Sequence, residues 1–181
     1  GGQITRITLT HCHSDHIGSL DALIAALPQA EVSMSSATER VLRDDRAVKA
    51  KKANGAGPSP LNARTLEAGD RVGSLEVVAA PGHSADQVAY FDVRDRSLIA
   101  GDAFQTRGGI AVSGTIKFLF PFPGWATSDK PLALESARSL RALEPSQLAV
   151  GHGDTLSAPL AAMDGAISES ERKLGAEVSH A

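Results

Sequence analysis

Three histidines and an aspartate lie within six consecutive positions, His11-Cys12-His13-Ser14-Asp15-His16, near the start of the chain. Further imidazole and carboxylate groups follow at wide spacing, at His83, Asp102 and His152. Imidazole and carboxylate are the ligand types that suit zinc and similar divalent metals. Together these groups are numerous enough to hold two metal ions that share a bridging ligand.

The widely spaced candidates each have an ordinary structural explanation when taken alone. A histidine beside glycine, such as His83 or His152, is more often a structural or surface residue than a ligand. Asp102 could equally be a turn aspartate. The tight cluster is more specific, because so many titratable groups repel one another when no metal is present. Two histidines separated by one residue in an extended turn can reach one ion, and Asp15 and His16, past the turn, can point to a second.

Composition favours a single domain over residues 1–181 and excludes several classes of partner. The formal net charge of -3 gives no sign of nucleic-acid or anionic-membrane binding. No apolar run approaches the length of about 18 residues that would span a bilayer. The single cysteine fits a reducing compartment, so we expect a cytoplasmic protein. Whether a targeting signal lies on a segment preceding Gly1 is left open.

The hydrophobic pattern predicts alternating helices and strands, with the candidate ligands directly after strand ends. One helix, capped by Ser14 or Asp15, is predicted to carry an apolar stripe that includes Leu23 and to end at Pro28. A turn-rich loop is predicted at residues 54–60. The remaining predicted helices cover residues 37–52, 130–143 and 157–175, and the predicted strands cover residues 4–10, 31–35, 64–66, 75–79, 87–93, 97–100 and 148–150.

These motifs resemble those of the metallo-β-lactamase-fold hydrolases. The His11–His16 segment is similar to the H-x-H-x-D-H signature of that superfamily, and Pro81-Gly82-His83-Ser84, Gly101-Asp102 and Gly151-His152-Gly153 are similar to its later motifs. The resemblance implies an α/β fold, a four-layer αβ/βα sandwich with metals at one edge. By position it implies a first metal on His11, His13 and His83, a second on Asp15, His16 and His152, and a bridge at Asp102.

Two positions narrow the resemblance to a branch. His13 stands where flavodiiron relatives carry glutamate, which argues against oxygen or nitric oxide reduction. Asp102 resembles the bridging aspartate of the glyoxalase II and acyl-homoserine lactonase branches, whereas true β-lactamases usually have cysteine or serine there. The only tyrosine, Tyr90, falls on a predicted strand, which argues against a specific quorum-signal lactonase.

The resemblance implies a dinuclear hydrolase of a small acyl substrate with an ester-like bond, such as a lactone or thioester. A hydroxide bridging two divalent ions would attack, and Asp15 would both bind metal and act in catalysis. Zinc is the expected metal, with iron or manganese as alternatives. Phosphodiester or nucleic-acid hydrolysis, β-lactam hydrolysis, and a non-catalytic metal-binding fragment are the rival hypotheses.

The start of the chain departs from the family pattern. Only a short segment precedes His11, where members of the family normally have several strands. We therefore expect a chain that lacks the N-terminal strands, with an exposed sheet edge that could pair with another copy in a homo-oligomer.

Aromatic residues concentrate between Phe104 and Trp125, in a segment broken by glycine and proline. Two hypotheses are equally open for this segment: an apolar substrate wall or lid, and core packing or a dimer interface. Arg107 and Lys117 could bind an anionic group of a substrate, although solvated surface charge is the commoner explanation. Cys12 is predicted to point away from the ligands as a small buried filler.

Overall fold

The computed structural model describes residues 2–52 and 62–179. The turn-rich loop predicted for residues 54–60 lies outside this part of the chain. The described residues form helices and strands in an order close to the predicted one. No helix among them is both long enough and apolar enough to cross a bilayer.

The N-terminal part of the chain forms a three-stranded parallel sheet. Its strands are β1 (Arg6–Thr8), β2 (Glu31–Ser35) and β3 (Arg64–Leu66), paired in that order. Parallel neighbours need crossover connections, which are the helices α1 (Ser14–Ile17), α2 (Leu20–Ala26) and α3 (Ser36–Lys52). Leu20 and Leu42 on these helices pack with Val32 and Met34 of β2 in one apolar cluster.

The first predicted helix is divided into two. α1 ends at Ile17, and α2 begins only at Leu20, because the intervening Gly18 and Ser19 are poor helix formers. The capping prediction was wrong: His13 precedes α1, and no side chain caps the helix. Leu23 is 42% exposed, so the predicted apolar stripe is incomplete.

A second, six-stranded sheet follows, and it contains both parallel and antiparallel pairs. In chain order its strands are β4 (Arg71–Val72), β5 (Leu75–Ala79), β6 (Val88–Asp92), β7 (Ser97–Ile99), β10 (Gln147–Ala149) and β11 (Leu156–Ser157). Their spatial order is β11-β10-β7-β6-β5-β4, with only the β10–β7 pair parallel. The two-residue strands β4 and β11 were not predicted, because two residues are too few to display a period.

Helices α5 (Lys130–Ala142) and α6 (Leu160–Ser179) cover the outer face of the six-stranded sheet. Leu98, Leu140, Leu148 and Met163 are completely buried in the apolar cluster between these helices and the sheet. The side chain of Asp129 caps α5 by accepting a hydrogen bond from the backbone N–H of Leu132.

The two sheets pack on each other through a third apolar cluster. It joins Leu66 of the first sheet to Val72, Val77, Val88 and Tyr90 of the second. Helices, sheet, sheet and helices therefore follow one another, each interface with its own apolar core. This is the four-layer αβ/βα arrangement that the family resemblance implied.

The segment that resisted sequence interpretation forms short irregular elements. A hairpin of β8 (Phe104–Gln105) and β9 (Ala111–Val112) is followed by helix α4 (Phe122–Ala126). Phe104 is completely buried in the core, so it belongs to the packing and not to a substrate wall.

Candidate metal centre

The loops after four strands meet at one edge of the sandwich. His11 and His83 lie on loops that the hydrogen bond from the Val88 backbone to the Thr10 carbonyl, at 2.8 Å, draws together. Asp102 follows β7, and His152 follows the adjacent β10. The hydrogen bond from the Gly151 backbone to the Gly101 carbonyl, at 2.9 Å, ties these two loops together. Rigid strand ends therefore bring distant parts of the sequence to one place.

All seven candidate residues lie in this one cluster. Three groups of them have potential ligand atoms within 4.8 Å of one another: His11-His13-His83, Asp15-His16-His152 and His11-His16-Asp102. The first two groups have the same members as the two triads that the family resemblance implied. We call them the buried triad (His11, His13, His83) and the outer triad (Asp15, His16, His152). The structure brings these side chains together, and their role as ligands stays a prediction.

Asp102 lies between the two triads. One of its carboxylate oxygens is 3.3 Å from Nε2 of His16. The other is 3.4 Å from Nε2 of His83 and 3.2 Å from Nε2 of His152. Asp102 therefore reaches one member of the buried triad and two of the outer triad, which is the position that a bridging ligand requires.

Burial keeps two members of the buried triad neutral. Desolvation, with some repulsion from neighbouring histidines, lowers the pKa of His11 to about 3 and that of His83 to about 4. An imidazole must be neutral to bind a metal, so both rings are in the binding form at neutral pH.

His16 and Asp102 shift each other's pKa in opposite directions, because each stabilises the charged form of the other. The close approach of the Asp102 carboxylate favours the charged imidazolium and, against the effect of burial, raises the pKa of His16 above its ordinary value. Burial alone would raise the pKa of Asp102, but the interaction with His16 and the nearby His152 and His83 outweighs it, and the pKa lies below the usual range. Asp102 is therefore a buried carboxylate that stays ionised at neutral pH, as a metal bridge must be.

Unpartnered atoms test whether this cluster fits a metal. Nε2 of His11, Nε2 of His16 and Oδ1 of Asp102 are buried, and none has a hydrogen-bond partner within the described part of the chain. The approach of His16 to Asp102 is close without forming a well-aligned hydrogen bond. Buried polar atoms without partners are costly, and a cation shared by these three would satisfy them. The donor set therefore fits divalent metal ions.

Gly151 leaves the space that this cluster needs. A Cβ atom at this position would overlap Oδ1 of Asp102 and lie 2.6 Å from Cε1 of His16. Any side chain here would push both residues out of place. The glycine before His152 is thus a steric requirement of the cluster, and not only a turn residue.

Asp86 supports the histidine-rich loop and was missed from the sequence. Its Oδ2 accepts hydrogen bonds from the Cys12 backbone at 2.9 Å and from the Thr38 hydroxyl at 2.8 Å. Burial opposes ionisation, but the hydrogen bonds donated by its neighbours outweigh it and lower the pKa of Asp86. The carboxylate thus fixes the peptide between His11 and His13. Its place three residues after His83 was the only signal in the sequence.

Two further polar contacts orient the ligand candidates. Gln87 donates to the Ala80 carbonyl at 3.1 Å and accepts from the Asp102 backbone at 3.3 Å, which connects the loops that carry His83 and Asp102. The Thr127 hydroxyl lies 3.3 Å from Nδ1 of His83. A partner on the second ring nitrogen fixes which nitrogen is left for a metal.

A cavity of about 240 Å³ opens over the cluster. Its floor is polar, and one wall is apolar. The lining residues are His13, Asp15, His83, Asp102, Phe120, Phe122, Pro123, Ala126 and His152. Small-molecule sites commonly combine an apolar wall with a few convergent polar groups.

Other residues that the sequence singled out do not themselves line the cavity. Tyr90 is buried between the sheets, where its hydroxyl donates to the Leu9 carbonyl at 2.7 Å. Cys12 packs against the apolar cluster beside the first sheet, as predicted, but it is half-buried rather than buried. Lys117 forms an ion pair with Glu169 at 2.6 Å, while the Arg107 guanidinium lies 5.0 Å from the centre of the Phe120 ring.

Fold and site together define a class of protein: an αβ/βα sandwich with a histidine- and aspartate-rich cluster at the edge between its sheets. The sequence model of the metallo-beta-lactamase superfamily matches residues 1–152. The chain belongs to the metallo-beta-lactamase superfamily. Most members of this superfamily are hydrolases, and its fold implies divalent metal binding.

Curated relatives agree with this assignment. The chain is 41% identical, over 95% of its length and 77% of the relative's, to "Uncharacterized protein YobT" of Bacillus subtilis (strain 168). It is 30% identical to a hydroxyacylglutathione hydrolase of Rhodopseudomonas palustris (strain HaA2), over 87% of this chain and 51% of that enzyme. The chain thus spans about half the length of that relative. The similarity supports the glyoxalase II-like branch.

Solved structures agree as well. The crystal structure of TTHA1623 in a di-iron-bound form has a TM-score of 0.63 and 26% identity, covering 87% of this chain and 74% of that one. The DIM-1 metallo-beta-lactamase exposed to ceftazidime has a TM-score of 0.69 at 17% identity, covering 96% of this chain and 70% of that one. At that identity, the second likeness speaks for the fold alone.

Proposed function

We propose that this chain hydrolyses an ester-like bond in a small acyl compound, such as a lactone or thioester, with two divalent metal ions held by the cluster. The observation that carries the proposal is the convergence of three buried ligand atoms without hydrogen-bond partners, on His11, His16 and Asp102, of which Asp102 also lines the cavity. In this proposal the buried and outer triads each hold one ion, and Asp102 bridges them.

The ions, when bound, would polarise the carbonyl and lower the pKa of water to about 7. The chain's own residues would do the rest. Asp15 is 57% exposed at the cavity, with a carboxylate oxygen 3.3 Å from Nε2 of His152. It can take a proton from the attacking water and return it to the leaving oxygen or sulfur as the carbonyl–heteroatom bond breaks.

Zinc is the metal we propose, because imidazole and carboxylate ligands suit it. Iron is the alternative, since one structural relative was solved in a di-iron-bound form. Similar His/Asp sites accept several ions, so availability decides between them. We also propose a cytoplasmic location from the single cysteine.

The lining of the cavity favours an acyl substrate over a phosphodiester. Among the described residues that line it, none is lysine or arginine. A phosphodiester site would gain from cationic side chains, and nucleic acid binding depends on them. The hypothesis of a thioester substrate is supported by similarity to two proteins named hydroxyacylglutathione hydrolase, at 30% and 31% identity.

The test begins with metal content after purification and extensive dialysis, measured by elemental analysis. We expect about two equivalents of metal per chain. The loaded protein is then offered a lactone, a thioester, a β-lactam and a generic phosphodiester under identical conditions. Hydrolysis of the lactone or thioester above the other two is the expected result.

Other results would overturn the proposal. Preference for the phosphodiester or the β-lactam would reassign the reaction. Metal held without turnover of any substrate would make the chain a metal-binding module. Failure to take up zinc, iron or manganese would remove the basis of the mechanism.

A further inference from the structure

An unbroken row of aromatic rings leads out of the candidate metal centre. The ring centres of Phe120 and His152 are 5.3 Å apart. Phe122 follows at 5.5 Å from Phe120, and Trp125 at 6.0 Å from Phe122. We call Phe120, Phe122 and Trp125 the aromatic row. Its inner members line the cavity over the cluster, and its outer member lies beyond it.

The outer rings expose far more apolar surface than packing requires. Phe122 is 63% exposed and Trp125 is 67% exposed. Both belong to α4, three positions apart, and therefore lie on the same face of the helix. Contiguous exposed apolar surface beside a polar site commonly marks a place where a ligand binds.

The packing of α4 explains why this face points outward. Pro123 and Gly124 are the buried residues of the helix. A Cβ atom on Gly124 would lie 2.9 Å from the Ile116 side chain, so the helix backbone packs closely against that segment. With the small residues facing inward, the aromatic residues must face the cavity and solvent. The fold thus holds the row open.

We propose that the aromatic row binds the apolar acyl chain of the substrate, so that the enzyme selects medium-length alkanoyl compounds over acetyl compounds. This inference rests on the proposed function, because the scissile carbonyl must lie over the metal cluster for the chain to lie along the row. Continuity carries the argument: the same cavity contains the polar floor and the first two rings. An alkyl chain leaving that floor along the apolar wall contacts the rings in order.

Neighbouring residues provide a matched control. Phe118 is 95% exposed and lies in the same segment, but it neither lines the cavity nor stacks on the row among the described residues. Phe118→Ala removes one phenyl ring, as Phe122→Ala does, without touching the proposed path. A non-specific effect of surface hydrophobicity would appear in both variants.

The chain contains one tryptophan, Trp125, and it is in the row. Its fluorescence therefore reports on the row without requiring turnover. We would titrate the metal-loaded protein with octanoate below its micellar concentration, and with acetate as the control ligand. The expected result is a blue shift with octanoate and none with acetate, because only the longer chain displaces water from the indole.

Variants then separate the row from the general surface. Phe122→Ala should weaken octanoate binding about tenfold, because the contacts of one aromatic ring are lost. Phe118→Ala should leave the binding unchanged. In kinetics, Trp125→Ala should lower kcat/KM for an octanoyl thioester about tenfold relative to an acetyl thioester. Phe118→Ala should leave the ratio of octanoyl to acetyl activity unchanged.

Each outcome has a separate meaning. No fluorescence shift with octanoate, or equal weakening in Phe118→Ala and Phe122→Ala, overturns the inference. A blue shift that grows with protein concentration alone also overturns it and assigns the row to contact with a second copy. If the octanoate shift occurs but no acyl compound is hydrolysed, binding of an alkyl chain by the aromatic row is supported and the proposed reaction is contradicted. If acetyl and octanoyl compounds are hydrolysed equally well, the proposed reaction is supported and selection of longer chains by the aromatic row is contradicted.

Discussion

The buried triad and the outer triad use the same kinds of side chain in different surroundings. His11 and His83 of the buried triad are almost completely enclosed, and burial lowers the pKa of both. In the outer triad, Asp15 is 57% exposed, and both His16 and His152 are partly accessible. Two members of the buried triad are therefore enclosed, whereas all of the outer triad is partly accessible, and both triads contribute residues to the cavity lining.

This contrast suggests a division of roles within one cluster: the buried triad binds a metal tightly, and the outer triad gives water and substrate access to a metal. Neutral, enclosed imidazoles offer a preformed site that costs little reorganisation when an ion binds. The more exposed outer triad can be reached by water and substrate. Asp102 couples the two because its oxygens reach His83, His16 and His152. Variants that act on one triad, on both, or on their supports should therefore differ in graded ways.

Replacing Asp102 should have the largest effect on metal binding, since its carboxylate contacts members of both the buried triad and the outer triad. We expect Asp102→Asn to reduce metal content from about two equivalents to less than one. The amide carries no charge to offset two cations, and one of its atoms is a donor facing imidazoles. Elemental analysis of dialysed protein measures this directly.

Asp92→Asn serves as the control for Asp102→Asn. Asp92 is equally buried but lies on β6, where it pairs with Arg94 away from the cluster. This variant should keep its full metal content whatever its thermal stability. Full metal retention in Asp102→Asn would mean that the two triads do not share this carboxylate.

Asp15→Ala tests the outer triad alone. We expect turnover to fall by about 10²- to 10⁴-fold, the range that a proton-transferring group contributes. The Tm of the metal-free protein should hardly change, because Asp15 is exposed and supports no core contact. The ion on the buried triad should be retained. Activity and metal content together test this, and an Asp15→Ala variant with full activity would exclude the proposed role.

The sequence predicted the cluster and the order of layers better than it predicted the site's supports. The ligand candidates were visible because histidines at such short spacing are chemically unusual. Strands such as Glu31–Ser35 and Leu75–Ala79 were predicted to the residue, since β-branched residues and flanking turns bound them clearly. Long-range convergence at one edge then followed from the family resemblance.

What the sequence could not supply depends on contacts between distant segments. Asp86 is an ordinary loop aspartate until the fold brings Thr38 and the Cys12 backbone against it. The aromatic segment looked equally like core and like wall. The structure divides it, with Phe104 inside the core and Trp125 at the surface, because a glycine- and proline-broken segment has no period from which burial can be read.

Gly151→Ala should have a smaller effect that falls mainly on the outer triad. The added methyl group would overlap Oδ1 of Asp102 and approach Cε1 of His16, so both must move. We expect metal affinity to fall about 100-fold, the upper end for groups that orient ligands. Competition with a metal chelator measures the change.

Gly165→Ala makes the same chemical change where there is space. A Cβ atom at Gly165 meets nothing within 4 Å, and the residue lies inside α6. This variant should keep its metal affinity and gain about 0.5–1 kcal/mol of stability, because alanine favours helix. Equal metal loss in both variants would show that the site responds to general destabilisation and not to the space beside Asp102.

Asp86→Ala should have the smallest effect on metal, and it should fall on the buried triad. Without the carboxylate, the Cys12 backbone N–H loses this acceptor, and the loss of a hydrogen bond to a charged group costs about 1.5–3 kcal/mol. The peptide between His11 and His13 can then move, so we expect metal affinity to fall about tenfold, the lower end for an outer support. Asp86→Asn keeps one oxygen acceptor and should lose less. If the two variants bound metal equally, the hydrogen bond to Cys12 would not be what holds the buried triad in place.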